Sequence, residues 1–105
     1  MVKFVRATAV AAVIGALTAT VASADCAKAL DEARAALKQA EATVGQAKDS
    51  GKKAAAGPLG KAKKGLLHAE AECKEKDVRK QAEGTREARE AQGYAEEARM
   101  LAEKL

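Results

Sequence analysis

Aromatic residues are nearly absent: the chain of 105 residues holds one phenylalanine, one tyrosine and no tryptophan. Without rings to stack on bases, nucleic acid is a poor partner. Proline occurs once, at Pro58, and β-branched residues are scarce from Asp25 onward, so no segment reads as a strand. Cysteine occurs twice, with neither a CxxC spacing nor a third thiol, which argues against a redox dithiol or a thiolate metal site. There is no nucleophile with a positioned base, no paired general acid and base, and no phosphate-binding glycine loop, so no catalytic constellation is visible. The length allows one small domain only, which excludes most enzymes.

What is present begins with a three-part leader. Lys3 and Arg6 supply positive charge, Ala7 to Val21 is an uncharged apolar run, and Ala22-Ser23-Ala24 offers the small residues that a signal peptidase accepts. The run is shorter than the roughly 20 apolar residues of a bilayer span and contains Gly15, Thr18 and Thr20. Residues 1–24 therefore read as a cleaved secretory signal, with residues 25–105 as the mature domain and no transmembrane anchor left after cleavage. Asp25 separates Ala24 from Cys26, which argues against lipidation at the cut. The expected location is periplasmic or secreted, an oxidising setting in which two cysteines pair.

From Asp25 onward the chain is built of Ala, Glu, Lys, Arg, Gln and Leu, the set that favours helices. Cys26, Leu30, Ala33, Leu37, Ala40, Val44 and Ala47 alternate at spacings of four and three, a heptad seam. Leu59, Ala62, Leu66, Ala69 and Cys73 repeat it. The two seams mirror one another. Folded antiparallel about Asp49-Ser50-Gly51, they oppose Leu30 to Ala69, Ala33 to Leu66, Leu37 to Ala62, Ala40 to Leu59 and Cys26 to Cys73, a large residue against a small one in each apolar layer. Gly51 reads as a left-handed helix stop. Gly57-Pro58 either kinks the second helix or marks its true start.

A side stripe of Leu67, Ala71 and Val78 is expected to receive a third helix carrying Ala88, Ala91, Ala95, Ala98, Ala102 and Leu105. Its turn falls either at Lys74 to Asp77 or at Gly84-Thr85, and Gly93 is a further point at which the third helix could divide to give four. The predicted fold is an all-α antiparallel bundle of three long helices, stapled by a Cys26–Cys73 disulfide at the open end of the first hairpin.

Six lysines, Lys48, Lys52, Lys53, Lys61, Lys63 and Lys64, surround the first turn with only Asp49 opposing them. Such a tip either docks on an anionic envelope component or acidic protein, or is a solvated hairpin end. His68, the only histidine, stands one helical turn before Glu72 off the first seam; the pair is a candidate divalent-cation site or an ordinary surface pair. Tyr94 reads as packing beside Leu101.

Leu59-Gly-Lys-Ala-Lys-Lys-Gly-Leu-Leu-His-Ala-Glu-Ala71, preceded by Leu30-Asp-Glu-Ala33 and followed by Gly93, Ala98, Ala102 and Leu105, resembles the small metal-binding protein family of bacterial periplasms. The resemblance implies an exported helical bundle of helix-turn-helix repeats whose histidines hold copper, nickel or other divalent metals. Only His68 stands at a histidine position of that pattern; Lys61 is among the residues occupying others, and the cysteine pair has no counterpart. Three functional classes follow: metal handling through His68 and Glu72, envelope interaction through the lysines, and a specific inhibitor or immunity-type partner. None of the three involves catalysis.

Overall fold

The computed structural model describes the backbone of residues 2–105 and side chains from residue 21 onward, so residues 1–20 of the expected leader lie outside the fully described part. Three helices follow one another: α1 (Val2–Gln46), α2 (Asp49–Cys73) and α3 (Val78–Lys104). Among the described residues there is no strand, and no helix is long and apolar enough to cross a membrane.

The first turn is tighter and earlier than the glycine suggests. α1 stops at Gln46 with its last turn drawn in by an Ala47 N–H to Val44 carbonyl bond of 3.1 Å, a common way of using end carbonyls. Lys48 is extended, with φ −69° and ψ 162°, and α2 starts at once with Asp49, an acidic residue where the helix dipole favours one. Gly51 is thus not the stop between the helices but a buried residue inside α2, and no described glycine has a positive φ. Its lack of a side chain serves packing: a Cβ there would stand 2.8 Å from the Ala102 carbonyl oxygen of α3. Ser50 Oγ donates to the Leu105 carbonyl at 2.7 Å, tying the end of α3 to the start of α2.

Pro58 lies within α2, which runs through it from Asp49, so the helix does not start there. The ring leaves the Ala54 carbonyl without its helical donor, a cost that tertiary packing must offset. The second turn is the earlier of the two alternatives. α2 ends at Cys73, Lys74 to Asp77 reverse the chain, and the Asp77 side chain caps α3 by accepting from the Arg79 N–H at 2.9 Å. Gly84-Thr85 is helical, and Gly93 does not divide α3.

The core is made of alanine. Ala29, Leu30, Ala33, Leu66, Ala69, Ala88 and Ala91 form one buried cluster, with Leu37 and Cys73 against it. Ala40, Ala55, Ala62, Ala95, Ala98 and Ala102 form the second, edged by Val44, Leu59 and Tyr94. Residues of both seams thus fall in the same two clusters, together with the alanines of α3, and the Cys26–Cys73 disulfide joins α1 to α2 with a Cα–Cα distance of 5.8 Å. The packing partner differs from the expectation, however. α3 lies against both other helices far more extensively than these lie against each other, because its alanine stripe is narrow enough to wedge into the seam.

That wedge also corrects the expected side stripe. Leu67, Ala71 and Val78 do not cover α3; all three are exposed, as is Leu105. α3 is met instead by the face of α2 carrying Ala62, Gly65 and Ala69, where small residues allow close approach. A Cβ on Gly65 would touch Ala91 Cβ at 3.4 Å. Arg89 reaches Glu32, Arg34 reaches Glu70 and Lys63 reaches Glu41 across helix boundaries, all from exposed positions where each pair adds little.

Candidate metal centre

His68 and Glu72 share one face of α2 because residues four apart stack a single helical turn from each other. The structure brings them together, with Nδ1 of His68 3.1 Å from Oε1 of Glu72. A third group comes from α3: Glu87 Oε2 is hydrogen-bonded to the same nitrogen at 2.5 Å. One donor atom from each residue lies within 4.8 Å of the other two. Spacing along α2 alone does not point to Glu87, which belongs to another helix. The available signal was its place directly before Ala88, which puts it at the edge of the buried stripe of α3.

Exposure across the trio is steeply graded. The His68 side chain is 68% exposed, that of Glu87 18% and that of Glu72 only 9%. Neither carboxylate oxygen of Glu72 has a hydrogen-bond partner. The imidazole nitrogen is near Oε1 but aligned with Glu87, so Glu72 gains proximity without a bond. Burying a carboxylate in this state is expensive. Its position raises the cost, since the last turn of α2 contains no basic residue to offset the negative end of the helix dipole.

A divalent cation would relieve each of these penalties. Ligands held roughly 2.1 Å from a tetrahedral ion are about 3.4 Å apart, so the 3.1 Å spacing needs little adjustment and the Glu87 contact opens by a side-chain rotation. One imidazole with two carboxylates is a donor set suited to first-row divalent metals. Three protein ligands leave a coordination position open.

His68 and Glu87 also stand at one end of a groove of about 680 Å³ between α2 and α3. Leu67 adjoins His68; Lys64, Gly65, Glu90 and Ala91 line the middle, and Lys61 and Tyr94 stand at the far end. Tyr94 is half-buried, with Lys61 Nζ 5.4 Å from the ring centroid.

The six lysines do not form one tip. All are exposed, but Lys48, Lys52 and Lys53 sit at the α1–α2 turn, whereas Lys61, Lys63 and Lys64 lie further along α2. Lys64 is roughly 24 Å of helix from Lys48, and Lys63 is engaged by Glu41 at 3.6 Å. Cys26 and Cys73, joined in the disulfide, are at the opposite end of the hairpin from its turn.

Compared with family models, curated proteins and solved structures, the chain gives no match.

Proposed function

We propose that the chain is an exported, non-catalytic binding protein that holds a divalent transition metal, copper or nickel among the candidates, on His68, Glu72 and Glu87. The observation that carries this reading is the buried Glu72 carboxylate, which has no hydrogen-bond partner and lies beside an imidazole and a second carboxylate. The resemblance of the Leu59–Ala71 stretch to periplasmic metal-binding proteins implies the same class of ligand. Export is supported by the leader pattern and by the disulfide, a bond that persists in oxidising compartments.

Calorimetry with copper(II) and nickel(II) on the processed, oxidised protein tests the assignment. One ion per chain is expected, with copper bound more tightly than nickel as ligand-field strength dictates. Replacing His68 by Ala or Glu87 by Gln should weaken binding by about tenfold or more, since each removes one of only three ligands. Uptake that is unchanged in both variants would overturn the site.

A second reading rests on Lys48, Lys52 and Lys53, three exposed ammonium groups at the first turn, where the N-terminus of α2 adds its own positive potential. These would adhere to an anionic envelope surface. Vesicle binding that weakens with salt and vanishes on replacing the three lysines by glutamine is the expected signature.

A further inference from the structure

The disulfide and the trio share one end of the bundle and are linked through two helices. On α2, Glu72 directly precedes Cys73. On α3, Glu87 follows Gly84 by one helical turn. Gly84 is the residue against which the bridge packs, since an added Cβ would stand 2.8 Å from Cys73 Sγ and 3.1 Å from Cys26 Sγ. Each helix therefore carries a metal ligand within one turn of its contact with the bridge.

One contact of the bridge is unused while the sulfurs are bonded. Cys26 Sγ lies 3.2 Å from the carbonyl oxygen of Gln81, one turn before Gly84, but a bridged sulfur has no hydrogen to donate. A Cys26 thiol has one, and the carbonyl on α3 is in place to accept it. Access favours the other sulfur: Cys26 is 1% exposed, whereas Cys73 is half-buried. A depression of about 180 Å³ opens beside both cysteines and is lined by Lys74, whose charge favours an incoming thiolate.

Resting on the metal reading above, we infer that the Cys26–Cys73 bridge governs the metal site: oxidised, it holds Glu72 against Glu87, and reduction by a dithiol releases the ion. A thiolate of the dithiol attacks Cys73 Sγ, the bond to Cys26 breaks, and Cys26 leaves as a thiolate that takes a proton from water. The second thiol of the reagent then displaces Cys73 and closes the reagent's own disulfide, so two electrons and two protons have passed to the protein. Two unbonded thiols need van der Waals separation, and the close backbone of Gly84 gives them no room on the α3 side without a shift. The segments that must shift, the end of α2 and the Gly84 turn of α3, carry Glu72 and Glu87. Such coupling is reciprocal, so a bound ion also protects the bridge.

Nickel(II) calorimetry on the processed, oxidised protein and on the double variant Cys26→Ser with Cys73→Ser reads the coupling without thiols that could bind metal themselves. Cys26→Ser keeps a donor for the Gln81 carbonyl. The double variant should bind nickel at least about tenfold more weakly, within the usual range for coupled sites. Leu37→Ala, which loosens the core with the bridge intact, should bind as the parent does. Equal affinity in parent and double variant, or an equal loss in Leu37→Ala, would overturn control by the bridge while the metal reading stands. Absence of nickel uptake by the parent would overturn both. If circular dichroism shows that the double variant has lost its helices, the rate of reduction of the unaltered protein decides. A water-soluble phosphine, which ends as its oxide with an oxygen taken from water, should open the bridge at least about fivefold more slowly in saturating nickel. A rate unchanged by nickel would overturn the inference.

Discussion

Gly84 of α3 lies directly against Cys73 of α2: a Cβ there would be 2.8 Å from Cys73 Sγ, and 3.1 Å from both the Cys73 backbone nitrogen and Cys26 Sγ. The missing side chain is what lets α3 pass beneath the bridge that joins α1 to α2. Gly84→Ala should therefore cost roughly 1–3 kcal/mol, the usual range for overpacking a filled site. A thermal melt followed by circular dichroism reads it, and an unchanged midpoint would show that the helices separate freely at this end.

Gly93 makes the opposite case. It sits inside α3, exposed, and an added Cβ would meet nothing within 4 Å. Gly93→Ala should raise stability by roughly 0.5–1 kcal/mol, because a mid-helix glycine loses more backbone freedom on folding than alanine does. A denaturant midpoint that falls would contradict the open surroundings.

Leu66 and Leu67 are chain neighbours on different faces, 7% and 69% exposed. Leu66→Ala should cost roughly 2–5 kcal/mol by opening a cavity between alanines that cannot collapse into it. Leu67→Ala should cost less than about 0.5 kcal/mol. Equal losses in urea titrations would mean that Leu67 is covered in solution.

Glu72 sets folding against binding. Replacing it by methionine keeps the approximate volume and removes a buried charge with no hydrogen bond, so the metal-free protein should gain about 1–3 kcal/mol. The same variant should lose metal affinity. Acidification should release metal from the unaltered protein as protons compete for the imidazole and the carboxylates. A Glu72→Met protein that melts lower than the parent would remove the argument from unsatisfied burial.

The parts of this fold legible in the sequence are those encoded by spacing along one helix. The alternating four and three of Cys26 to Ala47 and of Leu59 to Cys73 marked the core-facing residues of α1 and α2 and the disulfide. Spacing on α2 also put Glu72 a turn from His68. Contacts fixed by another helix were not legible. Gly51 has the composition of a helix stop, yet its role depends on the carbonyl of Ala102, fifty-one positions away. Glu87 reaches His68 only because α3 wedges against Gly65 and Ala69. Leu67 looked like core because it is leucine, while alanine and glycine, which carry little hydrophobic signal, took the buried face.

The bond between Cys26 and Cys73 closes the polypeptide into a covalent ring that contains the first turn, all of α2 and the stretch of α1 facing it. A single proteolytic nick at the exposed lysines of that turn opens the ring without releasing a fragment. The nicked protein would travel as one molecule, heavier by one water, until a reductant cut the tether. Both halves of the trio's α2 face and the whole of α3 stay on one continuous strand in that event, so damage at the turn leaves the metal ligands joined.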